Sequence, residues 1–383
     1  MIDLHMHFDG SLLPGTIARL ARQEGIPVPE EGSEEFARLI RVPDDCEDLN
    51  RYLACFDLPL SLLQSPDAVR QAMEDLVWSL LAEDHLLYAE LRFAPSSLTR
   101  KGASQEEIVR AALEGLRQAQ DRFQNSFRAS GAFPSARNGE GGTPGRNGTP
   151  GRNAAGKPEP AGQPGNGGIC PEGSWIPCCQ LILCGMRGTS TEEENLETVR
   201  LADRYRAKGV AAVDLAGPEA GFPTHDYQRL FQEAEALGLP FTVHAGEAAG
   251  PANIREAVEY GASRIGHGIA AAQDPPLVRM LAERQIPLEC CPVSNVQTRA
   301  VARMADHPVR KFLNSGLKVT VNTDNRTVSG TDLNREYREL RENLGLTQEE
   351  KFRLLANAAD AAFLPADRKA SLKSALNQKT ASL

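Results

Sequence analysis

The sequence has no apolar run of about 18 residues and no basic leader followed by an apolar stretch. A membrane span and a secretory route are therefore not expected, and the chain reads as a cytoplasmic protein. It also lacks a positive surplus, since 42 Lys and Arg face 51 Asp and Glu for a net charge of −9. Nucleic-acid binding rests on basic patches, so it is not expected either. No C-x-x-C occurs among the eight cysteines, and two pairs, Cys178–Cys179 and Cys290–Cys291, are adjacent in the chain. That pattern argues against cysteine-held zinc and a disulfide framework, and favours reduced, buried thiols. The zinc signature H-x-E followed by P-C-x-x-C is missing. No Gly-x-Gly-x-x-Gly turn follows a strand-like run, which argues against an open dinucleotide-binding sheet.

What is present is a regular alternation of short apolar runs with helical patterns. The strand candidates are IDLHMHF (2–8), LYAELRFA (87–94), QLILCGMR (180–187), GVAAVDLA (209–216), PFTVHAGE (240–247), SRIGHGI (263–269), PLECCPV (287–293) and KVTVNTD (318–324). Eight such runs, each followed by helix, predict an α/β protein: a (β/α)8 TIM barrel. A chain of 383 residues fits one such barrel carrying insertions. Ser65 before Pro66 and Ser104 before Glu107 are helix-start signals, and Gly25 is a helix stop.

Two segments interrupt the alternation. Residues 11–85 form a helical insertion after strand 1, on the face where barrels place their chemistry. There Leu53, Phe56, Leu58 and Leu62 form either an apolar wall of a lid or simply the core of a helical subdomain. Residues 129–174 are dominated by Gly, Pro, Asn and Ser and contain GTPGRN twice in tandem. Such a composition buries too little apolar surface to offset its ordering entropy, so a disordered insertion is expected before strand 3. It falls on a helix-to-strand connection, at the bottom of the barrel, and is expected to be dispensable. The chain 1–383 is thus expected to be a single domain interrupted by 129–174.

The stretch FTVHAGE (241–247) runs from strand-like residues into His244 and Glu247. Alone it is compatible with a structural core histidine. His5 and His7 alternate on strand 1 and point to one side. His244 ends strand 5, His267 strand 6 and Asp324 strand 8. Five residues of metal-site type therefore converge on one barrel mouth, and imidazoles with a carboxylate suit zinc. His85, His225 and His307 do not end strands and are expected at the surface or as caps.

HMHFDGS (5–11), VDLAGPE (213–219), TVHAGE (242–247), RIGHG (264–268), CPVSN (291–295) and VNTDN (321–325) closely resemble the adenosine deaminases of the metal-dependent amidohydrolase superfamily. The resemblance spans the chain apart from the Gly/Pro-rich tract. It implies a (β/α)8 barrel with one catalytic zinc per subunit and hydrolysis of adenosine to inosine and ammonia, a reaction of purine salvage. By the same resemblance His5, His7, His244 and Asp324 hold the zinc, which makes water nucleophilic at neutral pH. His267 stands beside that water as a base and then a stabiliser of charge. Glu247 supplies the proton that purine N1 takes up.

The resemblance also implies substrate contacts. His7 is among the substrate-binding residues, and Asp9 accepts a bond from a ribose hydroxyl. The Gly217 N–H reaches purine N3, where glycine permits close approach. Asn325 faces N7. Many relatives carry aspartate there, and an amide donates to N7 without an unusual protonation state. Ser294 and Asn295 are expected near the site. The implied partner is a small nucleoside, adenosine or 2′-deoxyadenosine. Free adenine and modified adenosines are the alternatives within this chemistry. AMP is disfavoured, because a carboxylate beside the sugar repels a phosphate. A binuclear hydrolase would need a lysine at the end of strand 4, where the chain has Leu215–Ala216–Gly217. The remaining alternative is a catalytically silent metal-binding barrel.

Overall fold

The computed structural model describes residues 1–43, 46, 49–130 and 175–381. Eight strands run through it: β1 (Ile2–His7), β2 (Tyr88–Phe93), β3 (Cys178–Met186), β4 (Val210–Ala216), β5 (Thr242–Ala245), β6 (Arg264–His267), β7 (Leu288–Cys290) and β8 (Val319–Val321). All pairings are parallel, in the orders β1-β2-β3-β4 and β5-β6-β7-β8. Two bridges close the circle. Val213 pairs with Phe241 between β4 and β5, and Met6 pairs with Asp324 between β1 and the end of β8. The result is the (β/α)8 barrel expected from the eight runs, with each observed strand falling on one of them. β7 and β8 are the shortest of the eight, at three residues each.

Local signals behave as the sequence predicts. The Ser65 hydroxyl accepts the Ala68 N–H at 3.3 Å, opening the helix Pro66–Trp78. Ser104 and Glu107 satisfy each other's backbone donors at 3.2 and 2.9 Å before the helix Gln105–Ser130. Gly25 closes the helix Pro14–Glu24 at φ 68°. Ala129 and Ser130 still belong to the helix Gln105–Ser130; the rest of the Gly/Pro-rich tract, 131–174, lies outside the described residues. None of the cysteines among the described residues is in a disulfide, and Cys46, Cys179, Cys184, Cys290 and Cys291 are buried. No described helix is long and apolar enough to cross a membrane.

The insertion after β1 divides the two readings of its apolar residues. Leu62 is buried in the main core, and Leu58 packs against it. Phe56 instead joins Val42, Cys46, Tyr52 and Val328 in a small separate cluster, with Leu53 against it. Val328 follows β8, so this cluster ties the insertion to the loop at the barrel mouth.

The barrel interior is not purely apolar. Arg92 on β2 donates to Asp214 and Glu289, both at 2.9 Å, and to the Leu4 carbonyl at 2.7 Å. Arg264 donates to Glu289 and Glu90, both at 2.5 Å. All five charged groups are at most 1 % exposed, so each survives burial only because it is paired. This ionic floor lies directly beneath the histidines of the mouth.

Candidate metal and substrate site

His5, His7, His244, His267 and Asp324 meet at the C-terminal ends of their strands. One ligand atom from each of His5, His7 and His244 lies within 4.8 Å of the others, and the same holds for His5, His267 and Asp324. The Nε2 atoms of His7 and His244 stand 3.1 Å apart. Asp324 Oδ1 lies 3.5 Å from His5 Nε2 and 3.4 Å from His7 Nε2. Asp324 and His267 both adopt left-handed backbone, φ 59° and 58°, which is uncommon outside glycine. From these turns the His267 ring lies 4.8 Å from that of His5, and Asp324 reaches both His5 and His7. Strain of this kind, here at two strand ends, is typical of functional positions.

The outer partners decide which nitrogen faces inward. His5 Nδ1 donates to Glu289 Oε2 at 2.7 Å, and His244 Nδ1 lies 2.9 Å from Asp214 Oδ2. Burial would raise both carboxylates. The Arg92 and Arg264 guanidiniums outweigh it at Glu289, and His244 with Arg92 at Asp214, so both stay ionised. Each imidazole is therefore held by its Nδ1 with Nε2 turned into the mouth, the arrangement that orients metal-binding histidines. Burial, reinforced by Arg92, lowers His5 to about 4, and burial holds His7 well below its ordinary value; both present neutral nitrogen. His244 is raised, because Asp214 outweighs the effect of burial. His5 Nε2 is buried without a hydrogen-bond partner. Three imidazoles, one of them with its inward nitrogen buried and unpartnered, and one carboxylate are a donor set that fits a zinc ion.

Glu247 sits beside this cluster with its carboxyl 3.5 Å from His267 Nε2. Burial pushes it above the ordinary carboxyl range, so it tends to keep a proton. Its loop is organised by Glu219, a residue that sequence reasoning missed although it ends the VDLAGPE stretch. The buried Glu219 carboxylate accepts the backbone N–H groups of Gly246, Glu247, Ala248 and Ala249 at 2.6, 2.9, 2.9 and 3.1 Å. It also accepts from Asn253 Nδ2 at 2.9 Å.

His267 is held from behind by Asn295. The Cys291 N–H donates to Asn295 Oδ1 at 3.2 Å, which fixes that end of the amide as the acceptor. Asn295 Nδ2 therefore donates to His267 Nδ1 at 3.0 Å, and neutral His267 carries its proton on Nε2. His307 completes the chain: its Nδ1 accepts the Val309 N–H at 3.2 Å and its Nε2 lies 3.2 Å from Asn295 Oδ1. His307 is thus a cap, as expected, but it is buried rather than superficial, at 3 % exposure. Burial keeps it neutral, lowered to about 3. His225 is exposed and His85 half-buried.

The expected substrate contacts ring the same mouth. Asp9 opens the turn after β1 and is partly exposed. Gly217 follows β4 at φ 102°, and a Cβ there would press on the Arg187 backbone at 3.0 Å. Only glycine fits both demands. Asn325 is buried next to Asp324. Ser294 and Asn295 are fully buried on the helix Pro292–Gln297. Tyr52 was not anticipated. It arrives from the insertion and meets Asn325 and Ser329.

Comparison with known proteins follows the same lines. The family model described as adenosine deaminase matches residues 1–131 and 177–379. An adenosine deaminase of Haemophilus ducreyi is 41 % identical over 382 residues, covering 99 % of this chain and 96 % of that protein. One from Enterococcus faecalis is 36 % identical, covering 98 % and 96 %. Among solved structures, the adenine deaminase of Arthrobacter aurescens superposes with a TM-score of 0.77 at 26 % identity, covering 99 % of this chain and 98 % of that one. With the barrel, the donor cluster and full-length similarity in agreement, the chain belongs to the adenosine deaminase family.

Proposed function

We propose that the protein hydrolyses adenosine, and 2′-deoxyadenosine, to inosine and ammonia, using one zinc ion held by His5, His7, His244 and Asp324. The observation that carries this reading is the placement of the buried Glu247 carboxyl against the histidine cluster, where burial shifts it toward the protonated form. The zinc ion supplies the Lewis acidity that makes water nucleophilic near neutral pH.

Every other task falls to the chain's own groups. Glu247 gives its proton to purine N1 while C6 is attacked, so the ring accepts electrons without becoming an anion. His267 presents a donor at Nε2, which suits it to steadying charge on the attacking oxygen. The Asp324 carboxylate takes the water proton and passes it to the amino group, which leaves as ammonia while the remaining hydroxyl proton restores Glu247. The Gly217 N–H meets N3, Asn325 meets N7, and Asp9 with His7 takes the sugar. The small cluster around Phe56, whose Tyr52 meets Asn325, would screen this side from bulk water.

Turnover of adenosine, adenine and AMP by the zinc-loaded protein tests the reading, followed by ultraviolet absorbance. Adenosine is expected to be consumed much faster than the other two. Preference for adenine, on which the Arthrobacter aurescens relative is named to act, would move the substrate and keep the chemistry. Silence on all three with zinc bound would leave a metal-binding barrel without activity.

A further inference from the structure

The proposed reading addresses one six-membered ring from two places, with the Gly217 N–H at N3 and the Glu247 carboxyl at N1. The two come from different strand ends, Gly217 following β4 and Glu247 following β5. That is also where the two runs of four strands meet. Among the described residues a single bridge, Val213 with Phe241, pairs them, and it lies at the entry to β5, away from the mouth. Arg187 donates to the His244 carbonyl at 2.8 Å and so holds the end of β5. The loop that continues from it and carries Glu247 is held by a different group.

That group is Glu219, two residues after Gly217 in the same turn and 2 % exposed. Its Oε1 accepts from the Gly246 N–H and from Asn253 Nδ2, and its Oε2 from the N–H groups of Glu247, Ala248 and Ala249. The Asn253 amide is fixed in this sense, because its Oδ1 accepts the Thr224 N–H at 3.3 Å. A buried carboxylate must keep its hydrogen bonds, so any other path of the loop would strip it of partners at a high cost. Gly246 permits the observed path, at φ 74° and with an added Cβ striking Ile254. The Glu247 N–H is one of the five donors, so the acid's backbone is fixed at the point where its side chain departs toward His267.

We infer that Glu219 is a positioning residue which acts through Glu247. It ties the acid to the turn that carries Gly217, so that the N1 proton donor and the N3 contact meet one ring in register. The inference rests on the proposed function and adds what holds its proton donor in place. Glu219 itself neither binds the substrate nor moves a proton.

The test is a double-mutant cycle on the zinc-loaded full chain, with Glu219→Gln made in wild type and in Glu247→Gln. The amide cannot replace the carboxylate, because whichever end is nitrogen faces two or three N–H donors. With Glu247 present, kcat for adenosine is expected to fall about tenfold to a hundredfold. In the Glu247→Gln background no proton donor is left to misplace, and the further loss is expected to stay within about threefold. Zinc content is expected to be unchanged. The Kd of 1-deazaadenosine, which keeps N3 but has a C–H at position 1, is expected to stay within about twofold of wild type. Glu219→Asp keeps the charge and shortens its reach by one carbon, and runs the same cycle where Glu219→Gln does not fold, with the same dependence on Glu247. Equal losses in both backgrounds would reduce Glu219 to packing and overturn the inference. So would no loss in either, zinc lost from the variant, or a 1-deazaadenosine constant that rises in step with the fall in kcat. A wild type that leaves adenosine untouched would instead overturn the proposed function, and the inference with it.

Discussion

Asn295 Nδ2 donates to His267 Nδ1 across 3.0 Å, and this contact decides which side of the imidazole carries its proton. The direction is set from further back, by the Cys291 N–H and by His307, both on Asn295 Oδ1. The chain of donors points one way, from the Val309 backbone to the mouth. It delivers a donor, not an acceptor, to the space beside Glu247.

Asn295→Asp tests that relay. A carboxylate still accepts from Cys291 but draws the His267 proton to Nδ1, leaving Nε2 bare toward Glu247. Turnover number is expected to fall on the order of a hundredfold, with zinc content unchanged. Unchanged turnover with the carboxylate in place would show that the tautomer does not matter.

Glu289 and Asp214 hold two proposed ligands by their Nδ1 atoms, with Arg92 bridging the carboxylates. Glu289→Gln and Asp214→Asn should each weaken metal binding by about 10- to 100-fold. Competition with a chelator, read as zinc retained per chain, measures this without reference to activity. Equal retention in wild type and variants would contradict the assignment.

The strand pattern was legible because alternation is a local property. His5 and His7 two residues apart, and polar residues closing otherwise apolar runs, already place a constellation on one mouth. What turns those residues into a site is not local. Glu289 meets His5 across 284 positions and Tyr52 meets Asn325 across 273. Such pairs depend on barrel closure and on how the insertion folds over it. The burial of His307 was missed for the same reason: its partner Asn295 is in space near β6, and no periodicity marks it. Glu219 lay within a quoted motif, yet its task became visible only when four backbone N–H groups were seen to converge on it.

Glu336 gives the protein a pH-dependent stability unrelated to catalysis. It is fully buried, accepting from Val293 N–H at 3.0 Å and Thr331 Oγ1 at 2.8 Å, and burial raises it to about 8. A folded pKa above the unfolded one means its contribution is complete below about 4.5 and is lost as pH rises through about 8. The loss is on the order of 5 kcal/mol. Glu336→Gln should flatten this dependence; denaturant midpoints at both ends of the window measure it. A wild type equally stable at both ends would contradict the buried neutral acid.

In sequence the tract 131–174 lies between the helix Gln105–Ser130 and β3. Replacing it with a short Gly/Ser linker is expected to leave kcat/KM for adenosine within about twofold, since loop length alone changes closure entropy slowly. A large loss of activity in a folded variant would assign the tract a role.

The most direct test of the central claim compares wild type with Glu247→Gln, both zinc-loaded and with metal content measured, for the conversion of adenosine to inosine. The amide keeps the shape and the bonds that Glu219 makes to the loop backbone but cannot hand over a proton. The account predicts rapid conversion by wild type, a loss of at least about a hundredfold in the variant, and equal zinc in both. A variant that deaminates adenosine as fast as wild type would contradict it.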